Sequence, residues 1–447
     1  MGELKIRVAS FLECVLSTKD GLIAVSLSAF LLQNAIRSTL SAIFARLGVE
    51  AIADYLTIVI IYAPMIACIV RYRDVHLFDG LALVAICGLL FAVSFIFHLE
   101  DAYYYMRPLY GIARVFSPDG AIYGYLLFRA ARESGEQILK SLKIVAVLLL
   151  CFWTVFFIRA QVKGYWEEYN YLGELTKMSY SLEFGYGMLL PVAIFFFLRD
   201  NKNSGPFLVL MGIAMVEILI AGSRGPWLCM GVMFVICAAK TWGMRLLVYV
   251  SQHKKKVAIA GALIVMAAVI LMANYEAFFS ALRDALANFG VSSRTLERLA
   301  AGTITDDNGR DTIWSEAMRL ILLNPIFGYG VYGERPHIAQ IHNAGFPHNI
   351  VLEFALEFGV VITFLLVMAI VVASAYLLFT RRETAWSKMF PIFFVSSCQL
   401  LLSMSFWYVS AFWICVALVV NHLEATSDFS RLLNVAQNMF NKVRSAK

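Results

Sequence analysis

Residues 348–379 read HNIVLEFALEFGVVITFLLVMAIVVASAYLLF. From Phe358 to Phe379 no side chain is charged, and those 22 residues make enough helix to cross a hydrocarbon core of ~30 Å. The run does not alternate apolar and polar residues, which a membrane-spanning β-strand would require. Lipid cannot satisfy free backbone polar groups, so the stretch is read as a helix. Its polar first turns, beginning at His348 and Asn349, put the start of the span at headgroup level.

Working outward from this stretch, eleven further apolar segments are expected near 21–46, 51–70, 77–98, 108–129, 142–159, 181–198, 205–222, 225–241, 257–273, 388–403 and 406–422. The fourth is interrupted by Ser117-Pro118-Asp119-Gly120. The fold class is therefore all-α: a polytopic membrane protein of about twelve transmembrane helices. Composition agrees. Of the 447 residues 60% are hydrophobic and 15% charged, against about 25% charged in soluble domains. A cytosolic enzyme, a disordered chain and a disulfide-rich secreted module are excluded. The first segment carries Gln33 and Asn34 and reads as a retained span rather than a cleaved signal. The eight cysteines fall in spans or near the N-terminus, with none in the long loop, so no disulfide framework or cysteine metal site is expected. No internal repeat is visible.

Most of the 37 Lys and Arg lie at the termini and in alternate gaps between spans. Lys19, Arg71, Arg129, Arg199, Lys254 and Arg381 mark successive gaps of this kind. The positive-inside rule then places both termini in the cytoplasm. The net charge of +6 is mainly a topology signal and not a sign of nucleic-acid binding. The expected division is an N-terminal transmembrane bundle (1–204), a catalytic transmembrane region (205–422) and a basic cytoplasmic tail (423–447).

The same alternation puts 274–347 on the far side of the membrane. Loops of more than ~12–15 residues usually carry structure or function. Residues 276–289 hold apolar side chains at helical spacing, 295–301 continue as a short helix, and 312–323 form a second amphipathic helix ended by Asn324-Pro325. The competing assignment for both loop helices is a segment lying flat on the bilayer.

Three polar groups belong to this outer face. Arg224 sits in Ala221-Gly222-Ser223-Arg224-Gly225-Pro226, a sequence that breaks a helix and frees backbone donors for an anion. Arg310 lies in Asp307-Asn308-Gly309-Arg310-Asp311, and His348 opens a span. Singly, each has an ordinary explanation: a snorkelling arginine, a polar turn, a structural histidine. Together they suit one chemistry. Guanidinium groups bind phosphate bidentately and never lose their charge, and a neutral imidazole accepts a proton from a hydroxyl. Two cations and a base fit displacement of a lipid pyrophosphate by a sugar hydroxyl. The competing chemistry is a metal site built from His337, His342 and His348 with Asp306 and Asp307 upstream, but H-x4-H-x5-H matches no zinc pattern and HExxH is absent. Walker A, GxGxxG and GxSxG motifs are absent too. A secondary transporter or lipid-glycan flippase is the alternative from another class. Transporters gather ionisable groups at mid-membrane, whereas here span interiors are nearly free of charge, with Arg37 and Arg114 as exceptions.

On these residues the chain resembles the bacterial O-antigen ligase/polymerase superfamily. The resemblance covers roughly 200–410. It rests on Ser223-Arg224-Gly225 with Leu228, on Gly309-Arg310-Asp311-Thr312-Ile313-Trp314 with Asn324-Pro325-Ile326-Phe327-Gly328-Tyr329-Gly330, and on His348-Asn349-Ile350-Val351-Leu352-Glu353 with Glu357-Phe358-Gly359. One departure is visible: the family's Gly-x-x-Gly gives way to Gly359-Val360-Val361-Ile362. The resemblance implies a GT-C-like fold and a metal-independent, inverting glycosyltransferase without cofactor. Arg224 and Arg310 would hold the pyrophosphate, and His348 would act as base. Asn349, Arg319, Tyr329, Arg335 and Glu353 are the expected substrate-binding residues. The implied partners are an undecaprenyl-pyrophosphate-linked oligosaccharide, an acceptor glycan or lipid A-core, membrane lipid and a chain-length regulator, with no nucleic acid. The implied location is the bacterial inner membrane with the active site on the periplasmic face. The compact Arg310-to-His348 segment leans toward the polymerase branch, with the ligase as alternative.

Overall fold

The computed structural model describes residues 17–72, 78–169, 174–199, 204–221, 223–252 and 309–426, with single positions between 276 and 301. The expected span at 257–273 and the tail beyond Thr426 lie outside the described residues. Between 276 and 300 the described positions are helical apart from a turn at Asn288, while Arg283 and Asp284 pair side by side.

The described chain is helical with one small hairpin. Its elements are α1 (Lys19–Leu31), α2 (Gln33–Ala45), α3 (Ile52–Tyr72), α4 (Phe78–Phe97), α5 (Ala102–Tyr105), α6 (Ile112–Val115), α7 (Tyr123–Ala130), α8 (Gly135–Lys163), β1 (Trp166–Tyr169), β2 (Leu175–Met178), α9 (Leu182–Phe197), α10 (Ser204–Ala221), α11 (Arg224–Gln252), α12 (Arg310–Leu323), α13 (Arg335–Ile338), α14 (Ile350–Phe379), α15 (Ala385–Ser397) and α16 (Ser410–Ala425). Among the described residues α3, α4, α8 and α14 are long and apolar enough to cross a membrane. The first expected span is instead a bent pair: α1 and α2 meet at 71°, and the two pass the same test together. In α14 only 17% of the apolar window is buried, and Val361, Phe364 and Leu365 are each more than 60% exposed. A surface of that kind is stable only against an apolar solvent.

The segment 108–129 is not a continuous span. It contains α6 and α7, of four and eight residues, separated by the turn at Ser117-Pro118-Asp119-Gly120. The buried Asp119 carboxylate accepts from Ser117 Oγ at 2.5 Å and pairs with Arg114 and Arg37, so the turn is held by charge inside the bundle. This accounts for the two charges in otherwise apolar spans. The broken segment still joins the two ends of the bundle. At one end Lys19 pairs with Glu133 at 2.7 Å, Ser134 donates to Asp20 at 2.6 Å and Arg129 pairs with Glu424 at 2.8 Å. At the other end Tyr105 Oη donates to the Val331 carbonyl at 2.9 Å and Arg107 to the Asn343 carbonyl at 2.7 Å.

α14 breaks at Gly359, whose φ of 77° is outside the helical region. The loop after α12 docks backbone to backbone at this break. Tyr329 N–H donates to the Leu356 carbonyl at 2.6 Å, Gly330 N–H to the Glu357 carbonyl at 3.0 Å, and Val360 N–H to the Pro325 carbonyl at 2.7 Å. A Cβ on Gly359 would lie 2.0 Å from the Ile326 carbonyl oxygen. The break therefore trades helical hydrogen bonds for loop hydrogen bonds, and only glycine permits the approach.

Candidate functional site

His348 is set by the two residues around it. On one side the Pro347 carbonyl accepts from Trp314 Nε1 of α12 at 3.0 Å. On the other, Asn349 caps α14: its Oδ1 accepts from Val351 N–H at 3.0 Å and Leu352 N–H at 3.3 Å, and its Nδ2 donates to the Leu401 carbonyl at 3.3 Å. His348 itself adopts φ 55°, a left-handed conformation that costs of order 1 kcal/mol in a non-glycine residue and is common where geometry serves function. Its ring stacks edge-on to His342, centroids 4.8 Å apart, and lies 4.6 Å from the Phe346 ring. Burial pushes the imidazole from 6.5 down to about 3, helped by His342, Arg310 and Arg335. It is therefore neutral at physiological pH.

Arg310 is the first residue of α12, after Gly309 at φ 79°. It is half-buried, and its charge acts on both His348 and Tyr186 of α9. Tyr186 also abuts the start of α11: a Cβ on Gly225 would lie 2.0 Å from the Tyr186 hydroxyl. Arg224, half-buried, is the first residue of α11. Arg224 and Arg310 thus each open a helix, and His348 lies two residues before the start of a third. Helix N-termini favour anions, which adds to the charge of the two guanidiniums.

The expected substrate-binding residues divide. Arg319 is exposed and engaged by Glu316 one turn away at 2.6 Å. Tyr329 is half-buried, donating to the Leu320 carbonyl at 3.3 Å and packing on His337. Arg335 and Glu353 are each 1% exposed and present no surface to a solute. Arg335 lies 3.5 Å from Glu334 and 3.8 Å from Glu353, with its guanidinium 3.8 Å from the Tyr332 ring centroid and 5.1 Å from that of Phe346. Glu357 completes the cluster and accepts from Trp407 Nε1 at 3.0 Å. Oxygens of Glu334, Glu353 and Glu357 lie within 4.8 Å of one another, a donor set a hard cation could use. One guanidinium already sits among them. Burial pushes the Glu334 carboxyl up to about 8 against the pull of Arg335, so it holds a proton at neutral pH. His337 does not join the pair formed by His342 and His348 but packs on Tyr329.

Residues 206–367 match the family model described as O-antigen ligase. The match of that segment supports the O-antigen ligase/polymerase superfamily. No curated protein and no solved structure matches the chain. The matched segment contains Arg224, Arg310 and His348 together with α12, α13 and the first half of α14. Members of the superfamily are membrane enzymes of ligase or glycosyltransferase type in surface polysaccharide assembly.

Around the ligase/polymerase segment the N-terminal half supplies braces that sequence reading missed. Ser94 and Tyr105 both donate to the Val331 carbonyl, and Arg107 holds the Asn343 carbonyl while stacking on Tyr103 and Tyr104. The signal available was the Tyr103-Tyr104-Tyr105 run with Arg107, just after the third expected span. Glu217 was a second miss: a carboxylate inside the 205–222 segment, buried and accepting from Thr154 Oγ1 at 2.9 Å.

Proposed function

We propose that the chain is a membrane glycosyltransferase that moves a glycan from undecaprenyl pyrophosphate to a hydroxyl acceptor on the periplasmic face of the inner membrane. The observation that carries the reading is a neutral, backbone-strained His348 in the field of Arg310, with Arg224 opening the helix that meets Arg310's other neighbour, Tyr186. In the reaction His348 takes the proton of the acceptor hydroxyl. The oxygen attacks the anomeric carbon, the bond from that carbon to phosphate oxygen breaks, and the electron pair leaves with the pyrophosphate. Arg224 and Arg310 stabilise the growing charge. Attack from the opposite side inverts the anomeric centre. The two guanidiniums supply the positive charge that a metal supplies elsewhere, so the transfer is metal-independent.

The acceptor in the favoured reading is a second lipid-linked repeat, which makes the enzyme a polymerase. The name of the matched family supports the second reading, a ligase that delivers the glycan to lipid A-core. A GT-C-like bundle of twelve spans with both termini cytoplasmic fits the separation of the Lys19 and Arg129 end from the Tyr105 and Arg107 end. Complementation of a polymerase-deficient or ligase-deficient strain separates the two readings by which surface polysaccharide returns. In the complementing strain His348→Ala is expected to abolish product while the protein remains in the membrane. Product at the wild-type level would remove His348 from the reaction. Arg224→Lys is expected to lower product, since an ammonium cannot make the bidentate contact.

A further inference from the structure

His342 belongs to none of the assigned roles, yet its ring touches the proposed base. Ala344 N–H donates to His342 Nδ1 at 3.3 Å. A ring nitrogen that accepts a hydrogen bond carries no proton, so neutral His342 has its hydrogen on Nε2. His348 Nε2 lies 3.4 Å from the same Nδ1. A hydrogen on His348 Nε2 would share the Nδ1 lone pair with Ala344 N–H, whereas an unprotonated Nε2 would set lone pair against lone pair, so the contact favours the hydrogen on His348 Nε2. In a neutral imidazole that leaves Nδ1 as the basic atom.

We propose that His342 is the positioning residue of the His348 base: it accepts from His348 Nε2–H, fixes the tautomer, and leaves His348 Nδ1 to take the acceptor's proton. This rests on the reading of His348 as base. The arrangement has the logic of a nucleophile-base-orienter triad, with an imidazole in the orienting place. Both rings stand on braced backbone. His342 N–H donates to the Ile338 carbonyl at 2.9 Å and Gly345 N–H to the His342 carbonyl at 2.9 Å, while Arg107 holds Asn343. His348 is fixed by Trp314 and by the Asn349 cap.

The contact titrates. The charged and titratable groups around the pair are Arg310 of α12, Arg335 of α13 and its partner Glu334, and Arg107 from the N-terminal half. Burial lowers His342 below 6.5. When His342 gains a proton as pH falls, Nδ1 becomes a donor facing a donor, and the lock is lost. Activity is full above the His342 pKa and declines as pH drops through it.

The test is the steady-state kinetics of the purified full chain with an undecaprenyl-pyrophosphate-linked repeat, across pH, for wild type, His342→Ala, His342→Asn and His348→Ala. His342→Ala is expected to lower kcat at least about tenfold with KM unchanged. His342→Asn is expected to recover most of that loss, because an amide oxygen can replace Nδ1 as acceptor, and to shift the acid limb downward, because an amide does not titrate. Wild-type kcat and acid limb in His342→Ala, with His348→Ala inactive, would overturn the positioning role and leave the base reading standing. An active His348→Ala would overturn that reading itself. If the variants fail to fold, the 15N spectrum of histidine-labelled wild type decides: a neutral His348 protonated on Nε2 supports the assignment, and protonation on Nδ1 overturns it.

Discussion

At the residue scale the site pairs a strained, neutral imidazole with cations that are permanent. Arg224, Arg310 and His348 stood out in the sequence because their residue types carry the chemistry proposed for them wherever they fall. Arg335 and Glu353 were legible only as polar residues near the motif. That both are sealed inside, with Glu334 and Glu357, depends on partners from α13 and α14 that no spacing rule links. The raised Glu334 carboxyl gives a prediction with a definite sign. The folded protein binds this proton more tightly than the unfolded chain, so its stabilising effect is present below 4.5 and is lost as pH rises through about 8. Glu334→Gln, neutral at every pH, should therefore gain thermal stability relative to wild type as pH goes from 5 to 8. A Tm difference that stays constant over that range would show that Glu334 does not hold a proton. At Arg310, replacement by Lys is expected to lower kcat in transfer assays by about tenfold or more, since the transition-state charge loses a forked donor.

At the element scale the decisive feature is the break in α14. Gly328 and Gly359 let two backbones meet, and the loop donates into carbonyls that the break leaves free. Gly359→Ala should cost more than about 2 kcal/mol or prevent folding, because its Cβ would meet the Ile326 carbonyl oxygen at 2.0 Å. Gly164→Ala is the control. It shares the positive φ, 75°, with nothing within 4 Å, and should cost only about 1–2 kcal/mol. Equal losses of thermal stability in detergent would show that the close approach is unimportant. The second loop helix was legible from its spacing and its Asn324-Pro325 stop, and the structure has it from Arg310 to Leu323. The 108–129 segment was legible as interrupted but not as a pair of short helices, since the pairing of Asp119 with Arg37 spans 82 residues.

At the scale of the whole molecule, membrane residence was legible from composition and apolar run length alone, because lipid imposes both. The bend between α1 and α2 was not, since Leu32 sits at a corner that apolar content does not mark. Nor was the contribution of the N-terminal half, which holds the loop before α14 through Ser94, Tyr105 and Arg107. Orientation is testable by thiol labelling in a background without native cysteines. Gln340→Cys, exposed in the loop, should label in intact spheroplasts, and Arg381→Cys, exposed at the opposite end, only after permeabilisation. The reverse pattern would place the site on the cytoplasmic face. The most direct test of the central claim is reconstitution: purified protein, undecaprenyl-pyrophosphate-linked repeat and chelator, with release of undecaprenyl pyrophosphate and growth of the glycan followed together. The expected result is stoichiometric release and transfer by wild type without divalent metal, and neither with His348→Ala. Transfer undiminished in His348→Ala, or abolished in wild type by chelator, would contradict the account.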